Sequence, residues 1–443
     1  MTWYYQSGEG LNLLARAAAV ATPVATLGTI DTNYPLANLP NGRPTSYVRY
    51  STVADGEYVT FDLNLLAGGD GEAYPLTGWT ATVGTIESSS TQTYGSGGSR
   101  SVRVYNATAP TAYKDVRMRA GESFRVYYAA WGATGTATAR VTNLATGLDL
   151  TTAPAWGSGT LVSTAAAAWS SGYVTYTMPT AESGGGLWQT LRVTLAVSGA
   201  AGDGYFEVKI VPGWDTVAML GHTNSPINPL RFSYAALTGN DPRDVYGGAA
   251  NVSDWTKTVP AAAEVFAADE YNEASLWNKA TATRYERWVR FTLTQGVPLT
   301  SAVGELILCQ AETLPRTPRL QVSDGYEATG QIRQDSGAGD PWTYNRTPVP
   351  RHRITLRYQT ADEAAMPGPS VDERAIRRMF SGRTHSGLWP VLVIPYGSHD
   401  SRAVIYGQPQ SVFGVEHMPP ERLMEVEILE YPIPGLQPGL FSV

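Results

Sequence analysis

Three tryptophans carry the clearest chemical signal in this sequence. Trp131, Trp156 and Trp169 lie in or beside stretches rich in Gly, Ala and Ser. Indole faces at loop margins suit stacking on pyranose rings, which makes these three the candidate glycan-contact residues. The alternative is packing, since most tryptophans of large sandwiches are core or partly buried. Trp79 and Trp188 are read as core. A second candidate is the turn Gly68-Gly-Asp-Gly-Glu72, which sets the carboxylates of Asp70 and Glu72 in a Gly-rich loop. Such a loop suits a hard cation such as calcium; a solvated acidic turn is the other reading.

Catalytic constellations are not found. The five histidines, His222, His352, His385, His399 and His417, stand singly, without the i, i+4 pairing of a zinc protease. His385 and His399 fall in a polar loop region with Asp400, where a hydrogen-bonding role is expected. There is no phosphate-binding Gly loop and no Gly-x-Ser-x-Gly elbow. No catalytic residue is assigned, and the chain is read as a non-enzyme. The lone Cys309 excludes an intramolecular disulfide and a cysteine-built zinc site. Its apolar run, Glu305-Leu-Ile-Leu-Cys-Gln310, marks a buried strand position.

The elements that would position these residues are strands. Charged residues are only 16% of 443, the net charge is -7, and Thr, Ser, Asn, Tyr and Trp are plentiful. The acidic balance argues against a nucleic-acid binder, and the mixture favours strands and turns over helices. No apolar run is long enough for a membrane span. Residues 11–27 are Ala-rich, but Glu9 and Arg16 and the missing basic start argue against a signal peptide. Alternation is plain in 57–63, 188–197, 204–211 and 287–293, with Gly/Ser/Thr clusters between as turns. One capping box, Ser370-Val-Asp-Glu373, opens an expected short helix over 371–380. The fold class read from this is all-β: several antiparallel β-sandwiches of jelly-roll type, with a C-terminal β-barrel-like domain containing that one helix. The strand ending at Leu63 looks unfinished, and a comparable apolar run begins at Trp214. A nested arrangement follows: 1–66 and 212–319 form one split domain, 67–211 is inserted in it, and 320–443 is a third.

Resemblances refine this outline. Tyr34-Pro-Leu-Ala-Asn-Leu-Pro40, Arg43-Pro-Thr45, Tyr58-Val-Thr-Phe-Asp-Leu63, Val217-Ala-Met-Leu-Gly-His-Thr-Asn224 and Arg284-Tyr-Glu-Arg-Trp-Val-Arg-Phe291 resemble the discoidin or galactose-binding-like jelly roll. That fold occurs in minor tail and baseplate proteins of tailed bacteriophages, and the resemblance implies that His222 supports a turn. Gly78-Trp-Thr80, Ser99-Arg-Ser-Val-Arg-Val104, Ala120-Gly-Glu-Ser-Phe-Arg-Val126 and Gly204-Tyr-Phe-Glu-Val208 resemble jelly-roll carbohydrate-binding modules. This second resemblance implies a structural calcium near Asp70, Glu72 and Glu207. Residues 320–434, with Gly-Leu-Trp-Pro at 387–390, are similar to the barrel-plus-helix ring domains of phage tails.

The resemblances imply a structural component of a long-tailed phage tail tip or baseplate. It would be made in the host cytoplasm and assembled with other tail proteins as a homo-oligomer, a trimer or hexamer, within the virion. The alternative is a carbohydrate-binding adhesin in which 67–211 contacts host surface polysaccharide. A glycoside-active enzyme is the third reading, and it lacks a segment for a catalytic domain. Fold alone does not establish binding.

Overall fold

In the computed structural model the described residues are 4–7, 11–20, 24–26, 30–33, 35–40, 48–53, 57–71, 76–94, 100–153, 155–165, 167–179, 188–222, 231–237, 251–258, 275–294, 299–313, 322–327, 332–335, 341–344, 349–359, 391–394, 405–418 and 421–430. Every strand pairing among them is antiparallel, so the all-β class read from alternation is what the chain adopts. The expected helix at 371–380 lies outside the described residues, as do Glu72, His385, His399 and Asp400.

Three sheets stack around two apolar clusters. The five-stranded sheet runs β17 (Asn251–Thr258), β16 (Arg231–Leu237), β19 (Trp288–Thr294), β4 (Glu57–Asp62), β2 (Val24–Thr26). The four-stranded sheet runs β18 (Ser275–Arg284), β15 (Trp214–His222), β20 (Leu299–Cys309), β3 (Val48–Val53). Val59, Phe61, Val289 and Phe291 of the first meet Trp214, Val217, Met219, Val303, Leu306 and Leu308 of the second. The alternate residues Ala218, Leu220, Ile307 and Cys309 point the other way, onto Leu392, Ile394 and Tyr406. Burial on both faces explains why 305–310 reads as a continuous apolar run rather than an alternating one.

Leu392, Ile394 and Tyr406 belong to a seven-stranded sheet. Its order is β21 (Glu312–Thr313), β1 (Tyr4–Ser7), β26 (Val391–Ile394), β27 (Ile405–Met418), β28 (Glu421–Glu430), β25 (Val349–Gln359), β22 (Val322–Glu327). The first and last parts of the chain therefore share a sheet: β1 pairs with β26 and with β21. Pairing of this range is not visible in local pattern, because residues 4–7 and 391–394 are each a four-residue run with many candidate partners. A separate hairpin joins β23 (Ile332–Asp335) to β24 (Pro341–Tyr344).

The Ala-rich segment near the start forms α1 (Leu13–Val20), the one α-helix among the described residues. Asn12 caps it, accepting from the Leu14 amide at 3.1 Å. The same side chain donates to the Leu306 carbonyl at 2.7 Å and accepts from the Leu308 amide at 3.1 Å, fixing the helix to β20. Leu13, Leu14 and Ala17 are thereby buried against β4 and β20.

All ten strands of the remaining sheet come from residues 80–212. They are β5 (Thr80–Val83), β6 (Thr85–Ser89), β7 (Ser101–Ala107), β8 (Thr111–Arg119), β9 (Ser123–Asn143), β10 (Leu148–Leu150), β11 (Trp156–Gly157), β12 (Val162–Thr164), β13 (Ser170–Thr177) and β14 (Trp188–Pro212). Two long strands, β9 and β14, pair along their whole length and serve two layers. Residues 123–134 and 203–212 join β13, β7 and β6; residues 136–143 and 188–198 join β8, β10 and β12. The turn between layers falls at Gly135 (φ 108°), where a Cβ would come within 1.8 Å of the Ser198 carbonyl oxygen. Val102, Val104, Phe124, Val126, Phe206, Val208 and Ile210 face Ala139, Val141, Leu191, Val193 and Leu195 across the core.

Candidate functional site

Strand alternation decides what the first layer shows outward. Since Phe124, Val126, Tyr128 and Ala130 enter the core, Arg125, Tyr127, Ala129 and Trp131 must face away. Register places Tyr205 opposite Trp131, Arg103 opposite Tyr205, and Glu87 opposite Arg103. On the other side, β13 contributes Ser171 opposite Ala129 and Tyr173 opposite Tyr127. The outward face is thus rich in aromatic and charged side chains.

Trp131 and Trp169 meet here, ring centroids 5.8 Å apart and nearly perpendicular. Tyr94 packs on Trp169 at 5.2 Å, and its hydroxyl donates to the Ser171 hydroxyl. Edge-on and tilted contacts of this kind are the favoured aromatic geometries. All three rings are half-buried. The Trp169 indole N–H is screened from solvent and has no acceptor among the described residues, a cost that a nearby hydroxyl oxygen would relieve. Trp156 is elsewhere. It packs on Tyr176, at 6.0 Å, at the margin of the core, and its indole N–H donates to the Thr177 carbonyl at 3.4 Å. The expected trio is therefore a pair, joined by Tyr94.

Next to the pair, past Tyr205, lies an open groove of about 530 Å³ lined by Arg103, Tyr105, Asn106, Thr108, Thr134 and Asp203. Arg103 donates to both oxygens of Asp203 at 2.9 Å and to Glu87 at 3.1 Å. Its guanidinium lies 4.0 Å from the centre of the Tyr105 ring, whose hydroxyl donates to Glu87 at 2.9 Å. The Asp203 carboxylate, more than any other neighbour, holds Arg103 protonated beyond its ordinary range; the bond to Glu87 raises the Tyr105 phenol. One guanidinium between two carboxylates leaves this groove with fixed polar groups and a slight negative balance.

At the other end of the face Tyr127 runs into the neighbouring core. Tyr127 and Val211 join the cluster around Trp214, and the Tyr127 hydroxyl donates to the Tyr285 carbonyl at 3.1 Å. Burial pushes the Tyr127 phenol up to about 12. Beside it is a buried ion cluster. Arg287 reaches Asp62 at 2.7 Å and Asp70 at 2.7 Å, with Lys209 in the field of Asp70, Glu207 and Asp62. Desolvation lowers Lys209, and the cationic Arg287 lowers it further, against the pull of the three carboxylates.

This cluster bears on the expected calcium. Asp70 is buried and paired to Arg287, and Glu207 is buried and accepts from the Tyr94 amide at 3.2 Å. A dication at Asp70 would compete with the Arg287 guanidinium at 2.7 Å. Asp70 is thus balanced by a protein cation and is not an open calcium ligand. Glu72 is outside the described residues. The clue in the sequence was Lys209, which sits two residues beyond Glu207 and so on the same strand face.

No family model matches the chain, and no curated protein matches it. Among solved structures, a family 16 carbohydrate-binding module is similar at 14% identity and a TM-score of 0.26, over 33% of this chain and 99% of that one. The enzymatically active domain of tailspike protein 4 of bacteriophage CBA120 is similar at 15% identity and 0.25, over 33% of this chain and 21% of that one. A third, TmCBM61, solved with β-1,4-galactotriose, is similar at 16% identity and 0.22, over 33% and 97%. Values this low establish no shared ligand or activity.

Proposed function

We propose that this chain is a polysaccharide-recognising protein and that the outward face of the sandwich at 67–211 is its binding surface. The observation that carries the reading is the cluster of Trp131, Trp169 and Tyr94, half-buried on a sheet face beside a groove of fixed polar side chains. Aromatic faces take the apolar side of a sugar ring, while Arg103, Asp203, Glu87 and Asn106 supply donors and acceptors for its hydroxyls. Binding without bond cleavage is proposed, since Glu87 and Asp203 are both committed to Arg103 and neither is placed as a free acid.

The remaining sheets are proposed as the scaffold, a split domain of 1–66 and 212–319 and a third of 320–443. Here the resemblance of 34–45 and 217–224 to tail and baseplate jelly rolls supports a place at the tip of a long-tailed phage, in a trimer or hexamer. The test of binding is an array of bacterial surface polysaccharides probed with the whole chain and with Trp131→Ala and Trp169→Ala. Binding by the parent that falls about tenfold or more in either variant supports the reading, in line with aromatic stacking energies. No binding to any polymer overturns it.

A further inference from the structure

At the Tyr127 end of the same face, Arg125 is held in place by rings and hydrogen bonds. Arg125 lies between two rings, 4.6 Å from the centre of Tyr173 and 4.5 Å from that of Tyr285. Its Nε donates to the Thr175 hydroxyl at 3.0 Å and one Nη to the Tyr127 hydroxyl at 3.3 Å. Those bonds and rings fix the guanidinium plane but leave donors unspent, since the group carries five N–H bonds. Among the described residues Arg125 makes no ion pair. Arg103, which lines the other groove of this sandwich, is by contrast tied to Asp203 and Glu87.

Arg125 opens on a cavity of about 240 Å³ whose other wall is Ala280, Ala282, Thr283, Arg284, Tyr285 and Glu286. Its lining thus carries two guanidinium groups, Arg125 and Arg284, and one carboxylate, Glu286. Above it stands Tyr173, 60% exposed, the most exposed large hydrophobic side chain among the described residues. Trp169 immediately precedes β13 and Tyr173 lies within it; they pack on Trp131 and Tyr127, which are four residues apart on one face of β9. At about 3.3 Å per residue the two rings are roughly 13 Å apart, the span of a short oligosaccharide rather than of one sugar.

We propose that the polysaccharide is acidic, and that Arg125 and Tyr173 form a subsite for a uronate-type residue of a chain that runs along β13 towards Trp169. Tyr173 takes the sugar face, and the unspent donors of Arg125 take the carboxylate by charge-assisted hydrogen bonds. This rests on the polysaccharide reading above. The experiment is a binding titration of the whole chain against uronate-bearing bacterial polysaccharides, each used native and after chemical reduction of its carboxyl groups to hydroxymethyl groups. The parent is expected to prefer the native polymer about tenfold or more, with the preference falling as salt is raised. Arg125→Gln should abolish the preference while the reduced polymer still binds; Arg125→Lys should keep part of it, and Tyr173→Ala should weaken both forms. Thermal unfolding of each variant checks that it is folded. Equal affinity for native and reduced polymers, or an unchanged preference in Arg125→Gln, overturns the acidic subsite alone. Failure of the parent to bind any polymer, native or reduced, overturns the polysaccharide reading with it.

Discussion

Arg287 shows how much one side chain holds in place. It is buried with Asp70 and also pairs the half-buried Asp62, carboxylates that come from the strand and turn where the chain enters the sandwich. Removing one partner of a buried ion group leaves the others uncompensated, so Arg287→Ala is expected to cost about 3–5 kcal/mol. Arg192 makes a comparable bidentate pair with Asp115 on the surface, and Arg192→Ala should cost under about 1 kcal/mol. Urea unfolding of the two variants checks the contrast. The buried phenols give a pH signature. Tyr127 and Tyr176 are raised by burial from 10.0 to about 12. Their stabilising preference for the neutral form is fully present below pH 10.0 and is lost as pH rises from there through about 12. A Tyr127→Phe, Tyr176→Phe double variant should lose less stability across that window. Cys309 is fully buried and its thiol is pushed up, chiefly by burial, so it should resist thiol reagents until the protein unfolds.

At the scale of elements, alternation made most strands legible, including 57–62 and the arms of β14, because each has one face in a core. The sequence also marked Trp131 and Trp169, since a bulky ring at a loop margin is conspicuous. What was not legible is which neighbour each strand takes. Tyr94 reaches Trp169 from the β6–β7 connection, and Arg125 reaches Tyr285 across 160 residues, neither of which follows from local spacing. α1 was missed for a different reason. An eight-residue, Ala-rich segment in a strand-rich chain has weak local support, and its stability comes from Asn12 and the contact with β20. The corner of the sandwich depends on glycine: Gly135→Ala must strain φ and also meets the Ser198 carbonyl. It should destabilise by more than about 2 kcal/mol. Gly147 has φ 71° but open space around it, so Gly147→Ala should cost only about 1 kcal/mol.

Across the whole molecule, the sandwich and its surroundings share interior. Tyr127 and Val211 sit in the cluster with Trp214, and Arg16 of α1 pairs with Glu122 at 2.6 Å. Ser123 donates to Gln310 at 3.0 Å. An excised 67–211 fragment would lose Arg287 from Asp70 and expose Tyr127, so the proposed binding calls for the intact chain. The measurement that tests the central claim most directly is therefore affinity of the whole chain for bacterial surface polysaccharides, read beside Trp131→Ala and Trp169→Ala. Specific binding is expected that either substitution reduces about tenfold or more in variants that thermal unfolding shows to be folded. Binding that both variants retain in full would contradict it, and would move the recognition surface off this face.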